Sequence, residues 1–233
     1  MILKLKKRVR EISFKSSSLS GQICSKKLNK SIQFESSLEK DFIYLIEFDI
    51  KVCSYLEQPI EISYIDSSGK NRKYTPDFLV NYHDKFRKDE IIEIKYESEL
   101  IEKKDELEAK FESARKYCIA NDLVFRVISD TYIRDEKHIL LKNIKFLSRY
   151  RDFFDKIDYE ATGLHFDTSY ACILLDKIEQ YESFTVNQLI NTITNDWEKK
   201  AELIFLTWYL IANNFIECDL NSPLNLNSAI WKD

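Results

Sequence analysis

Glu39, Asp77, Glu93 and Lys95 are the side chains whose types and spacing could do chemistry together, and that chemistry is phosphodiester hydrolysis. They lie in SSLEKDF, YTPDFLV and IIEIKY, and the last two segments are apolar runs. An ionised group is expensive to bury in such a run unless it is paired or holds a cation. Hydrolysis needs an in-line nucleophile and stabilisation of charge on the phosphate, which one or two Mg²⁺ ions fixed by carboxylates can supply. Asp77 and Glu93 read as neighbours on adjacent strands, so their carboxylates can converge on one ion, with the Ile94 carbonyl completing its shell. Glu39, on a preceding helix, can add a further ligand. Lys95 is expected on the strand face opposite Glu93, returning to orient water or stabilise the transition state only where the strand twists or bends. Each residue also has a plainer role: Glu39 complementing a helix dipole, Asp77 in a turn or edge strand, Glu93 and Lys95 on a solvated face. The ordered combination favours chemistry over those roles.

The elements that must position these groups follow from periodicity. Leu38, Phe42, Leu45 and Ile46 repeat at helical spacing behind Ser36–Ser37, predicting a helix over 36–48. Strands are predicted at 52–57 and 60–65, with a turn at 67–70 leading into a third strand at 73–82. A strand at 89–96 precedes a long helix whose buried stripe is Leu107, Phe111, Ala114 and Cys118. LVFRVI at 123–128 then reads as a fully buried strand in a parallel crossover. A helical pattern over 136–147 closes this mixed α/β unit. From Arg149 onward the pattern is helical at 168–181, 185–193 and 196–213, with short strand signals near 215–219 and a terminal segment ending in Trp231. The predicted division is 1–148 and 149–233, with the break between Ser148 and Ala161.

Composition excludes several classes. The chain has 233 residues, 44% hydrophobic and 32% charged, which is globular rather than disordered. Its five cysteines form no zinc or disulfide spacing, and its three glycines leave no phosphate-cradling loop. The most apolar run, Leu203–Ala212, falls short of the roughly 20 residues a bilayer requires. The N-terminus lacks the apolar core of a signal peptide, so a cytoplasmic location is expected. The net charge of −4 hides a basic arm, residues 1–34, where nine Lys and Arg side chains face the single acid Glu11. That arm is either a phosphate-backbone contact or a solvated tail. His83, His138 and His165 are dispersed, and Trp197, Phe205, Trp208 and Tyr209 read as core.

Pro76–Asp77 followed by Glu93–Ile94–Lys95 resembles the PD-(D/E)xK nuclease superfamily. Within it the chain is most similar to TnsA-like endonuclease subunits of heteromeric transposases, through GQICSK, FESSLEKDF, Glu57–Gln58–Pro59, Tyr74–Val80 and Ile92–Lys95. The resemblance implies an α/β restriction-endonuclease-like core and a mainly α, winged-helix-like C-terminal domain. It implies Glu39 as helix-borne catalytic acid, Asp77 and Glu93 as ligands of Mg²⁺ (with Mn²⁺ substituting), Lys95 as catalytic lysine and Gln58 as a supporting residue. It further implies cleavage of the 5′ ends of a transposon, double-stranded DNA as substrate, and two partners. These are a TnsB-like transposase and a TnsC-like ATPase that meets the C-terminal domain. A stand-alone restriction or repair endonuclease, and a non-catalytic scaffold between transposase and regulator, remain open alternatives.

Overall fold

The computed structural model describes residue 9, residues 19–156 and residues 166–232. Apart from Val9, the basic arm up to Ser18 lies outside the described residues, as do His165 and much of the expected domain break. The chain divides into two units, Met1–Glu136 and Lys137–Asp233.

In the first unit the central sheet has the order β3-β6-β7-β8. Its strands are β3 (Val52–Glu57), β6 (Phe78–Tyr82), β7 (Glu90–Lys95) and β8 (Val124–Ser129). β3, β6 and β7 run antiparallel, while β8 lies parallel to β7 through a crossover containing α2 (Glu97–Glu102) and α3 (Lys104–Ala120). Helices cover both faces of this sheet. On one face, Leu38, Phe42, Ile43 and Ile46 of α1 (Ser37–Phe48) pack on Tyr55, Phe78, Val80, Ile92 and Ile94. On the other, Ala114 and Cys118 of α3 meet Leu56, Leu79 and Ile91. The strand period of two sorts β7 accordingly, Ile92 and Ile94 toward α1 and Ile91 toward α3.

The stripe Leu107, Phe111, Ala114 and Cys118 is buried as the spacing predicts. Other expectations change. The segment read as one strand over 73–82 is two, β5 (Asn71–Tyr74) and β6, separated at Thr75–Asp77. Pro76 removes a ladder donor and bends the path there. β5 pairs instead with β4 (Ile62–Ile65) in a separate two-stranded sheet. Among the described residues β8 is the edge strand of this sheet, paired on one side alone, and only its Ile128 is buried. Residues 21–34 of the expected arm form a hairpin, β1 (Gly21–Ser25) against β2 (Lys30–Phe34). Ser25 donates to Glu47 of α1, and Ile32 and Phe34 join the α1-side core. At Gly21 an added Cβ would come within 2.7 Å of the tip of the buried Phe34 ring, which would have to shift.

The division at Glu136–Lys137 falls earlier than the 148–149 boundary expected from the sequence. A short helix, α4 (Asp130–Ile133), follows β8 near the end of the first unit. α5 (Ile139–Leu147), expected to close the first unit, belongs to the second because it buries Leu141, Ile144 and Leu147 there. Its Asn143 amide donates to the Leu220 and Ser222 carbonyls at 2.9 and 2.8 Å. A short helix α6 (Phe153–Lys156) follows, then α7 (Ser169–Ile178), β9 (Phe184–Thr185), α8 (Val186–Asn191), α9 (Trp197–Ala212), β10 (Glu217–Cys218) and β11 (Ala229–Trp231). β11 lies between β10 and β9, antiparallel to both. Phe205 packs 4.4 Å from Phe153, centroid to centroid, and Trp208 is buried against Phe146. Trp197, expected in the core, is 75% exposed at the first turn of α9, where the helix has yet to meet its neighbours. Among the described residues no helix is long and apolar enough to cross a membrane.

Candidate active site

Asp77 sits between Pro76 and the first residue of β6, and the β6–β7 register pairs Phe78 with Ile92. One step further along that register, Asp77 faces Glu93. Residues directly opposite in an antiparallel pair share a face, so both side chains point to the α3 side. The Ile94 N–H donates to Asp77 Oδ2 at 2.7 Å and locks the carboxylate to β7. Asp77 Oδ1 makes no hydrogen bond among the described residues. Across the other neighbour, the Gln58 N–H donates to the Asp77 carbonyl at 2.8 Å, so the Gln-Pro and Pro-Asp pairs are joined by their backbones.

Glu93 is 1% exposed and fully engaged. Its Oε1 accepts from Lys95 at 2.9 Å and Lys110 at 2.6 Å, and its Oε2 accepts from the Tyr74 hydroxyl at 2.8 Å. The Lys95 ammonium also donates to the Ile94 carbonyl at 3.2 Å. Lys95 therefore lies on the Glu93 face, correcting the expectation of the opposite one. Residues two apart in a strand share a face, and no twist is needed.

Glu39 occupies the third position of α1, within electrostatic reach of Asp77 and Lys95. Its carboxylate is also a capping group, accepting from the Glu35 N–H at 2.8 Å and the Ser36 hydroxyl at 2.9 Å. The Ser36 oxygen in turn accepts from the Glu39 N–H at 3.1 Å. The plainer role for Glu39 is thus present alongside the electrostatic one.

The charges strain against each other. Burial and then the neighbouring Glu93 and Glu39 carboxylates push the Asp77 pKa well above the ordinary range, against the pull of Lys95 and the Ile94 N–H. Burial likewise raises Glu39, opposed by its capping hydrogen bonds. Burial opposes the charge on Lys95, but Glu93 and Asp77 outweigh it and its pKa rises. Asp77, repelled by both Glu93 and Glu39, belongs to a set of hard oxygen donors with three carboxylates against two ammoniums, which fits a divalent cation. Among the described residues, no three His, Cys, Asp or Glu side chains are already gathered at metal-binding distances.

Gln58 is buried with its Oε1 unpartnered and a φ of 46°, a conformation that costs a non-glycine residue about 1 kcal/mol. A strained residue with an orphaned oxygen beside Asp77 suits a supporting role. Lys110 and Tyr74 are the residues sequence reasoning missed. Lys110 lies one position before Phe111 and three after Leu107, at the border of the buried stripe, and that placement of a lysine is the signal that could have found it. Its ammonium also sits 4.1 Å from the centre of the Tyr74 ring.

A family model described as TnsA-like endonuclease N terminal matches residues 49–130, and a second, TnsA endonuclease C terminal, matches residues 137–220. The chain belongs to the TnsA-like endonuclease family. No curated protein matches it. The first TnsA-like match contains Gln58, Tyr74, Asp77, Glu93, Lys95 and Lys110, while Glu39 precedes it. The second begins at Lys137, where the second structural unit begins. As a member of a nuclease family, this TnsA-like chain has its candidate chemistry at one end of one sheet, assembled from β6, β7, α1 and α3.

Proposed function

We propose that this chain is the metal-dependent DNA endonuclease subunit of a cut-and-paste transposase. It cleaves the 5′ ends of the transposon in the cytoplasm, while a TnsB-like transposase cuts and joins the 3′ ends. The observation that carries this reading is Asp77 set opposite Glu93, with Lys95 on the same face and Glu39 in electrostatic reach. Asp77, Glu93, Glu39 and the Ile94 carbonyl are the groups that would hold Mg²⁺. When bound there, the ion would supply positive charge against the scissile phosphate and lower the pKa of the attacking water. Lys95 keeps its proton, as its raised pKa requires, and stabilises charge developing on the phosphate oxygens. Gln58 braces Asp77 through the backbone bond described above.

The second unit is proposed as a winged-helix-like domain that contacts a TnsC-like ATPase. Its order of helix α7, strand β9, helices α8 and α9, and strands β10 and β11 supports that reading. A second reading, a scaffold without catalysis, is favoured by the engagement of both Glu93 oxygens.

Strand cleavage of a transposon-end duplex in the presence of both partners and Mg²⁺ decides between them. The parent should cut only with the metal, and Asp77→Ala and Lys95→Ala should each lose at least ~10²-fold in rate with unchanged folding. Cutting by Asp77→Ala at the parental rate would overturn the site assignment. An inert but folded parent would leave the scaffold.

A further inference from the structure

Lys110 has no role in the proposed hydrolysis, yet it makes the shorter of the two ammonium contacts to Glu93, 2.6 Å against 2.9 Å for Lys95. Its side chain is 17% exposed, and it reaches the site from the face of α3 that packs on the sheet. A lysine in that position gains little as a solubilising group, and the cost of its desolvation is uncompensated unless it is paired. Two ammoniums on Oε1 and a hydroxyl on Oε2 leave Glu93 little lone-pair capacity for another donor or ion.

We propose that Lys110 is a resident competitor for the metal, holding Glu93 in the metal-free protein and releasing it when a divalent cation enters. The inference rests on the metal-dependent reading above. Lys110 is the ammonium that yields, because Lys95 is held by the Ile94 carbonyl and by the charge of Asp77 as well as by Glu93. The face of Tyr74 gives the released ammonium a place to stay, at the end of a flexible four-carbon stem. A DNA phosphate entering the site adds negative charge, offsets the surplus left by a cation beside two lysines, and so favours loading of the metal. Lys110 thereby makes metal loading depend on bound DNA.

The test is calorimetric titration of Mn²⁺ into the full chain and into Lys110→Met, each with and without a short DNA duplex. Without DNA, Lys110→Met should bind Mn²⁺ roughly tenfold more tightly than the parent, the order of effect expected on deleting a half-buried competing charge. The duplex should tighten binding strongly in the parent and little in the variant. A residue that merely supported the structure would weaken binding when removed, so the direction separates the two roles. Lys110→Gln serves if the methionine variant melts early. In the parent, acetylation of Lys110 by acetic anhydride, read by mass spectrometry, should rise on saturation with Mn²⁺. Equal or weaker affinity in both folded variants, or unchanged labelling at saturating Mn²⁺, overturns the inference while leaving the metal reading intact. No binding by parent or variant, even with DNA, overturns both.

Discussion

Asp77 is asked to hold a negative charge where burial, Glu93 and Glu39 all oppose it. Asp77→Asn removes the repulsion, and the amide oxygen can still accept from Ile94. The variant should lose cleavage yet melt no lower than the parent in metal-free buffer, with a gain on the order of 1 kcal/mol in denaturant unfolding. A clear loss of stability would mean that the carboxylate is a structural group. Glu39 needs its two roles separated. Ser36→Ala should cost about 1 kcal/mol by uncapping α1 while sparing the chemistry. Glu39→Gln keeps an acceptor for the cap and should hold stability within about 0.5 kcal/mol while activity falls. Parental activity in Glu39→Gln would leave it as a cap alone. Asp77, Glu93 and Lys95 were legible in the sequence because charged groups inside apolar runs are costly unless they have a use. Lys110 and Tyr74 were not, because their partners lie far along the chain and lysine on a helix is ordinary until the helix's neighbours are known.

At the scale of elements, the β4–β5 hairpin is pinned by Asp66, whose carboxylate accepts from the Ser68 hydroxyl at 2.6 Å and from Arg72 Nε at 2.9 Å. The Ser68 hydroxyl, then Arg72 and the Lys70 N–H, hold its pKa far below the ordinary carboxylate range. Because folding lowers this pKa, the stabilisation is full above the unfolded value of about 3.9 and is lost as pH falls through the folded one. The Ser68 and Lys70 amide resonances should therefore stay constant from neutral pH down to about 3.9 and move only in stronger acid. In Asp66→Asn that acid transition should vanish. Helices were the most legible elements, since Leu107, Phe111, Ala114 and Cys118 follow one another at the alternating four- and three-residue steps of one helical face. The β1–β2 hairpin escaped because its five-residue strands, GQICS and KSIQF, carry few apolar residues, and its place in the core depends on Ile32 and Phe34 meeting α1. Strand 73–82 was read as continuous because alternation runs through Pro76 without a break, although the backbone cannot.

For the whole molecule, the division at Glu136–Lys137 sets where the chain can be cut. A fragment of residues 1–136 should melt as one cooperative transition, whereas 1–148 carries α5 with Leu141, Ile144 and Leu147 stripped of their partners. The longer fragment should therefore aggregate more readily, which light scattering during heating would reveal. Equal solubility of the two would argue against that division. The second unit was legible as a set of helices but not as an owner of α5, because an amphipathic pattern does not say which neighbour covers it. The crossover between β7 and β8 has a further result for the order in which the molecule forms. Asp77, Glu93 and Lys95 sit on one hairpin closed by a short loop, so they can meet early by local contacts. β8 must wait for α2 and α3 to close a much longer loop, and Lys110 travels with them. Until then the β7 edge is open and Glu93 lacks one of its two ammoniums. The topology thus sets an expected order in which the carboxylates come together before their second ammonium arrives.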